Sequence, residues 1–295
     1  MIKEIRAKTL VSRVQGIDTY FGLDYGMNLY RGCQHRCIYC DSRSLCYGIE
    51  RFDEDVLVKA NAIDFLREEL GRKRRKGIVG TGSMHDPYMP LEERTQLTRK
   101  ALEVIAAYGF GVHVITKSDL VLRDIDLLQK IARASAAVSL TITTADDALA
   151  KKIEPGAPVS SVRFLALRKL SSAGIEVRVA MMPTLPFLED SWENVSAIVE
   201  EAYRCGVRTI VPWFGMSMRD RQREHYYRKL DELFPGLRRR YESDFRGDYM
   251  CLSPNASELA ARFRERCLEL GIAMEVRPML SPTAQHLPLF GSDGL

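Results

Sequence analysis

The sequence predicts an α/β protein in which helices cover a parallel sheet. Of its 295 residues, 46% are hydrophobic and 28% are charged, which is enough apolar material for the core of one large or two small domains and excludes wholesale disorder. Short β-branched runs alternate with amphipathic stretches of helical period. Because such alternation is typical of parallel sheets, the pattern favours a partial barrel or a doubly wound sheet, and periodicity does not separate the two.

Six apolar runs are predicted as strands, and most are followed by a helix. The strands are predicted at residues 27–31, 77–82, 111–118, 136–143, 175–183 and 207–214. The helices are predicted at residues 59–70, 92–108, 123–134, 162–173 and 192–204. Gly109, Gly174 and Gly206 stand just past three of these helices, where a left-handed residue ends a helix. In either architecture, ligands bind at the carboxyl ends of the strands.

The chain changes character near Tyr241. A predicted helix at residues 256–270 and a predicted strand at 273–276 precede a proline-rich end. We therefore predict that residues 1–240 form the α/β domain and that residues 241–295 form a small C-terminal extension that closes it.

Charge and hydropathy exclude several classes of protein. The formal net charge is +4, from 43 basic and 39 acidic residues, which permits an anionic partner without requiring one. No stretch of about 18 uncharged apolar residues occurs, so no transmembrane helix is expected. The first residues lack the apolar run of a secretory signal, and we expect a cytoplasmic location.

Seven cysteines are unevenly placed. Cys46 and three neighbours crowd near the start, whereas Cys205, Cys251 and Cys267 are scattered. An odd number with this distribution does not suit a disulfide framework, so the early group indicates a metal site or a reactive site.

Three cysteines, Cys33, Cys37 and Cys40, directly follow the first predicted strand with C-x3-C-x2-C spacing. Thiolates this close can converge on one metal centre, and iron–sulfur clusters are held by cysteine thiolates, usually four. Three protein ligands would leave one iron open for another ligand. The alternative is structural zinc with His35 or Cys46 as the fourth ligand, although the chain lacks a second C-x2-C pair.

The segment YRGCQHRCIYCDSR resembles the cluster loop of the radical S-adenosylmethionine (SAM) superfamily, whose signature is C-x3-C-x-aromatic-C. The resemblance covers about residues 25–215 and implies a partial (β/α)6 TIM-type barrel. It also implies that Cys33, Cys37 and Cys40 hold a [4Fe–4S] cluster whose open iron chelates S-adenosylmethionine. One electron from a reductant such as flavodoxin or ferredoxin would then yield methionine and a 5′-deoxyadenosyl radical, which takes hydrogen from a substrate.

The same resemblance implies cofactor contacts near the loop and after the second strand. Tyr39 matches the aromatic residue that lies against the adenine, and loop packing is its alternative role. The second strand ends in GTGSMHDPY, which is similar to the spore photoproduct lyase-like branch. Ser83, His85 and Asp86 are therefore candidates for contact with the methionine amino group, although Asp86 also suits the turn before Pro87.

Later strand ends carry further matches to this branch. The resemblance implies that Lys117 pairs with the methionine carboxylate and that Ser139 helps to hold it. The alternatives are a solvated lysine and an ordinary strand serine. Residues 154–156 (Glu-Pro-Gly) match a segment after the fourth strand. Met181, with Met182, and Pro183 stand where the family surrounds the adenosine, and simple packing is the alternative for the methionines.

The substrate stays open. Spore photoproduct lyases return hydrogen from a cysteine near the end of the second strand, where this chain has Ser83, and no cysteine lies between Cys46 and Cys205. Cys251 is a candidate hydrogen donor, or a small buried residue. Basic residues around Tyr226 and Tyr227 suit a nucleic-acid substrate or an exposed helix face.

Two hypotheses from other classes compete with a radical enzyme. One is a zinc-stabilised nucleic-acid-binding protein without turnover. The other is an iron–sulfur electron-transfer or sensor protein, which would need no pocket for a sulfonium.

Overall fold

The computed structural model of the protein describes residues 1–276 except positions 17, 53 and 83. The strands are β1 (Ile2–Ile5), β2 (Val11–Arg13), β3 (Tyr25–Met27), β4 (Tyr30–Arg31), β5 (Val56–Lys59), β6 (Ile78–Thr81), β7 (Gly111–Thr116), β8 (Ala136–Thr141), β9 (Glu176–Met181), β10 (Thr209–Pro212), β11 (Gly215–Ser217) and β12 (Met250–Leu252). The helices are α1 (Ala62–Arg72), α2 (Glu92–Thr95), α3 (Leu97–Ala107), α4 (Ile125–Ile131), α5 (Asp147–Ile153), α6 (Ser160–Ser172), α7 (Trp192–Arg204), α8 (Asp220–Leu233), α9 (Leu237–Phe245) and α10 (Ala256–Leu270).

A seven-stranded sheet forms the centre of the fold. Its order is β10-β9-β8-β7-β6-β3-β2, with every neighbouring pair parallel except β2 and β3. In the described part of the chain β2 and β10 do not pair with each other, so the six parallel strands form an open, partial barrel. The predicted fold class is confirmed, and the doubly wound alternative is not adopted.

The hydrophobic core lies between this sheet and the helices outside it. Val112 and Val114 of β7 and Val138 and Leu140 of β8 are almost fully buried there. These strands read as nearly continuous apolar runs because both of their faces are covered. Among the described helices, none is long and apolar enough to cross a membrane.

The inner face of the sheet carries polar side chains that the periodicity did not reveal. His113 Nε2 lies 2.7 Å from Ser139 Oγ, and the Phe21 ring stacks on the imidazole at 4.9 Å. Burial lowers the pKa of His113 to about 3, so the ring is neutral at physiological pH. This layer fills the barrel below the carboxyl ends of the strands.

Two small sheets complete the structure. β1, β5 and β4 form one, and β11 pairs with β12 in the other. The predicted boundary at residue 241 falls inside α9, and the division into two domains stays a prediction. At the predicted strand 273–276, only Ala273 forms a bridge, to Thr209, and the proline-rich residues 277–295 lie outside the described part of the chain.

The helix predicted at residues 92–108 is divided at Gln96, where the backbone is left-handed with φ +48°. The buried Glu92 carboxylate accepts backbone N–H groups of Leu97 and Thr98, both at 3.0 Å. It also accepts the Tyr30 hydroxyl and pairs with Arg123 at 2.9 Å. A carboxylate at a helix N-terminus is favourable because it meets unpaired N–H groups and the positive end of the helix dipole. Glu92 thereby fixes the start of α3.

We expect Glu92→Ala to lower the free energy of unfolding by about 3 kcal/mol, because it leaves Arg123 and the α3 N–H groups without their buried partner. Glu93→Ala is the matched control, since Glu93 lies in the same helix but is exposed. Its effect should stay within about 0.5 kcal/mol. Urea unfolding of both variants measures the difference, and equal effects would contradict the role given to Glu92.

Candidate active site

The three cysteines of the C-x3-C-x2-C motif line one cavity at the carboxyl end of the sheet. The opposite wall comes from the segments that follow successive strands. The lining residues are Cys33, His35, Cys37, Cys40, Ser42, Gly82, Met84, His85, Asp86, Ile115, Thr116, Lys117, Thr141, Met182, Pro183 and Trp213. The carboxyl-end rule therefore locates the site.

The loop that carries the cysteines is held against the segment after α5. The Ile38 N–H donates to Ile153 O and the Gly156 N–H donates to His35 O, both at 2.9 Å. A Cβ at Gly156 would lie 2.3 Å from Gln34 O and 2.9 Å from the His35 Cα. Glycine is required here because two backbone segments approach too closely for a side chain. This contact explains the glycine of the Glu-Pro-Gly sequence.

Asp86 ties the cysteine loop to the ends of β6 and β7. Its carboxylate accepts the Thr116 hydroxyl at 2.6 Å, the Lys117 N–H at 2.7 Å and the Tyr88 N–H at 2.8 Å. His35 Nε2 lies 3.1 Å from Asp86 Oδ2, the oxygen that also accepts the Lys117 N–H. Burial alone would raise the pKa of Asp86, but His35 and these hydrogen bonds outweigh it and hold the pKa below its ordinary value. Asp86 thus stabilises the turn around Pro87, as the alternative role predicts. Its contact with the methionine amino group stays a prediction.

Glu154 is the centre of a buried charged cluster. The Tyr39 hydroxyl donates to Glu154, Arg163 pairs with it, and Lys117 Nζ lies 3.7 Å away. Burial would raise the pKa of Glu154, but the charges of Arg163 and Lys117 lower it below its ordinary value. Arg163 also donates to Thr141 O at 2.8 Å. Glu154 thus has two cations as partners, and Asp86 is a second carboxylate that acts on Lys117.

Lys117 presents its ammonium group to the thiols. Burial would lower the pKa of the lysine, but the neighbouring Cys37 and Glu154 raise it above its ordinary value. Because a buried charge is costly unless it is paired, and Lys117 shares Glu154 with Arg163, the ammonium group suits a further anionic partner in the cavity.

His85 is an unpartnered side chain in the cavity wall. It is 4% exposed, and neither ring nitrogen has a hydrogen-bond partner among the described residues. Burial lowers the pKa of His85 to about 4, so the imidazole is neutral. The His85 and Tyr30 rings pack edge to face, with 5.4 Å between their centroids. A neutral imidazole offers one donor and one acceptor to a ligand.

Four of the predicted site residues do not line the cavity that holds the three cysteines. Tyr39 lies behind it, bound to Glu154. Ser139 is hydrogen-bonded to His113 one layer below, and Met181 is fully buried in the core between sheet and helices. Cys251 lies in β12 with its Sγ 3.6 Å from Asp248 O, and burial raises its pKa to about 11. These placements match the packing alternatives, and the functional roles stay predictions.

Ser83 lies outside the described residues. Sequence reasoning missed Arg163, Thr141 and Trp213. Thr141 and Trp213 could have been found, because each stands at the carboxyl end of a predicted strand. Arg163 lies within a helix, and no local signal indicates its contact with Glu154.

The thiols suit a cluster better than a single ion. Among the residues that the structure describes, no three His, Cys, Asp or Glu side chains converge as the ligands of one metal ion do. In a [4Fe–4S] cluster each thiolate binds a different iron, so the ligands share a cavity without meeting at one point. All three thiols are free, and the ammonium group of Lys117 suits the anionic character of such a centre.

Comparison with known proteins places this geometry in a family. The radical SAM superfamily pattern matches residues 27–200, more than half of the chain. An uncharacterised protein of Mycobacterium tuberculosis is 32% identical over 254 residues, covering 83% of this chain and 73% of that protein. An uncharacterised protein of Methanocaldococcus jannaschii is 37% identical over 171 residues, covering 57% and 63%.

A spore photoproduct lyase variant, solved with bound AdoMet and dinucleoside spore photoproduct, has a similar fold. Its TM-score is 0.65 at 15% sequence identity, and the match covers 92% of this chain and 80% of that one. At this identity the likeness shows a shared fold.

We expect Gly156→Ala to lower the free energy of unfolding by about 1–3 kcal/mol, because the added methyl group collides with the backbone of the cysteine loop. Gly247→Ala is the matched control, since a Cβ there meets no atom within 4 Å among the described residues. Urea denaturation compares the two variants. A Gly156→Ala protein as stable as the control would show that the close approach does not constrain the loop.

Proposed function

The chain belongs to the radical SAM superfamily, and we propose that it is an enzyme that reductively cleaves S-adenosylmethionine with a [4Fe–4S] cluster held by Cys33, Cys37 and Cys40. When bound, the two cofactors supply a 5′-deoxyadenosyl radical that removes hydrogen from a substrate. The observation that carries the proposal is the shared cavity, in which the three thiols face Lys117 at the carboxyl end of the sheet.

Lys117 is proposed to hold the methionine carboxylate. Its ammonium group faces the cavity, and it shares its carboxylate partner Glu154 with Arg163. A compact ammonium group suits a further carboxylate as a point charge. The hydroxyl of Tyr39 and the guanidinium of Arg163 act through Glu154, so we assign them positioning roles.

His85 and the apolar wall are proposed to contact the rest of the ligand. The neutral imidazole of His85 has free hydrogen-bonding capacity for the methionine amino group or the substrate. Met182, Pro183 and Trp213 form the apolar side, which suits the adenosine. Asp86 fixes the Lys117 backbone through a hydrogen bond and lies against His35, while Ser139 and Met181 support the wall from the layers beneath it.

The basic segment that follows β11 gives little support to a nucleic-acid substrate. Arg219 pairs with Asp41 at 3.0 Å. Arg221 donates to Ile49 O at 2.9 Å, and Arg223 donates to Asp248 O at 2.6 Å. Because these three guanidinium groups bind protein atoms, they are not displayed for a phosphate backbone, and Arg228 is the one exposed arginine of α8. The proposal therefore leaves the substrate class open.

We expect anaerobic reconstitution to load wild-type protein with about four iron atoms per chain and a broad visible absorption. Changing Cys33, Cys37 or Cys40 to alanine should reduce bound iron to background. Cys46→Ala should retain it, because this exposed cysteine lies outside the cavity wall and serves as the matched control. Metal analysis measures the outcome, and wild-type protein that retains about one zinc and no iron would support the zinc hypothesis instead.

Lys117→Met should leave the cluster absorption intact and raise the KM for S-adenosylmethionine by about tenfold or more, because the methionine carboxylate loses its ammonium partner. Formation of 5′-deoxyadenosine in the presence of dithionite gives the KM. Lys130→Met is the control, since Lys130 is exposed at the far end of the barrel. A cluster-loaded wild type that forms no 5′-deoxyadenosine would favour an electron-transfer or sensor protein.

A further inference from the structure

A second cavity, of about 860 Å³, lies behind the cysteine loop. Its wall combines the loop, α5 and α8. The lining residues are Arg36, Ile38, Arg43, Glu54, Lys151, Lys152, Pro155, His225, Arg228, Lys229, Glu232 and Leu233.

The cysteine loop is a thin partition between the two cavities. His35 and Cys37 line the active-site cavity, whereas the alternating residues Arg36 and Ile38 line the second one. The two walls share no described residue. The second cavity therefore reaches within one residue of a proposed cluster ligand, from the side opposite the ligand pocket.

The second cavity is strongly cationic. Its wall carries six lysine and arginine side chains and two carboxylates, a surplus as large as the +4 of the whole chain. Both carboxylates are already paired, Glu54 with Arg51 and Glu232 with Lys229. Lys229 is thereby compensated, whereas Arg36, Lys151, Lys152 and Arg228 have no carboxylate partner within the described residues.

Most of these cations are accessible at the rim. Arg36, Lys151, Lys152 and Arg228 are exposed, and Arg36, Lys152 and Arg228 form no ion pair within the described residues. Lys152 Nζ lies 5.7 Å above the Phe234 ring. A site that enclosed a small anion would bury its cations, whereas an exposed ring of cations suits a broad acidic surface.

We propose that this cationic cavity is the docking surface for a small acidic protein that donates one electron, such as an acidic flavodoxin or ferredoxin. The inference rests on the proposed function, because it takes Cys37 as a cluster ligand. The reduced carrier loses one electron and the cluster gains it, with no bond made or broken. Entry from behind the loop leaves the front cavity to S-adenosylmethionine and substrate.

Charge complementarity and size support this partner. Transient redox complexes use small interfaces, and complementary charge accelerates their encounter. A nucleic acid is also anionic, but one bound here would lie across the loop from the cavity where the radical forms. The position of the surface therefore favours the electron donor.

The test uses the reconstituted holoenzyme and an acidic flavodoxin. Lys152→Glu with Arg228→Glu reverses two exposed rim charges that have no ion pair. The matched control, Lys130→Glu with Arg133→Glu, makes the same change of charge at exposed positions near the amino end of β8. Calorimetric titration gives the affinity for flavodoxin at low and high salt, and 5′-deoxyadenosine is measured with either dithionite or reduced flavodoxin.

We expect the rim variant to bind flavodoxin at least about tenfold more weakly at low salt, with a smaller difference at high salt because salt screens exposed charges. Its dithionite-driven rate should equal that of wild type, and the control should match wild type throughout.

Unchanged affinity in the rim variant, or an equal loss in the control, would overturn the docking surface. So would a variant that loses binding to a single-stranded oligonucleotide while it keeps binding to flavodoxin. Failure of the proposed function is a separate result, because the wild-type protein would then form no 5′-deoxyadenosine with dithionite. The affinity measurements decide the docking surface in either case.

Discussion

The buried carboxylate of Glu154 is the constraint on which the site depends. It joins the cysteine loop through Tyr39, the helix α6 through Arg163, and the end of β7 through Lys117. Two residues later Gly156 lies against the loop backbone. Because a buried charge is tolerated only with partners, each of these elements must be in place for the others to be stable there. A short segment between α5 and α6 thereby sets the position of three cysteines that are more than a hundred residues away.

The charge balance of this cluster connects stability with chemistry. Glu154 is shared by two cations, and replacing buried charged groups with apolar residues is often neutral or stabilising. The position of Lys117 at the cavity therefore makes physical sense when an anionic ligand also pairs with it. Asp86 differs, because its oxygens are already occupied by protein donors. The two acids thus have separate roles, since Glu154 pairs with buried cations and Asp86 holds the backbone after β6 and β7.

The sequence predicts local features well and long-range contacts poorly. Five of the six parallel strands were predicted because their apolar runs and helical partners recur in order, and α7 was predicted at its observed bounds. The strand predicted at residues 27–31 overlaps the sixth, β3, only at Met27, and its other end is β4 of a small sheet. β5 and α5 were missed because they are short. The division at Gln96 was missed because it depends on the Glu92 side chain and not on the local periodicity. Cysteine spacing indicated the loop, but the bond from Tyr39 to Glu154 joins residues 115 positions apart, and no local pattern encodes it.

The alternation of side chains along the cysteine loop gives its two faces different surroundings. Cys37 lines the ligand cavity, whereas Arg36 and Ile38 line the cationic one. Arg36 is in the left-handed region with φ +54°, which turns the chain at this point. Gln222 of α8 holds the loop from the cationic side by donating to Tyr39 O at 2.9 Å. The helix that supplies Arg228 to the proposed docking surface is therefore bonded directly to the loop, so a partner bound there would contact the same rigid unit that positions the cysteines.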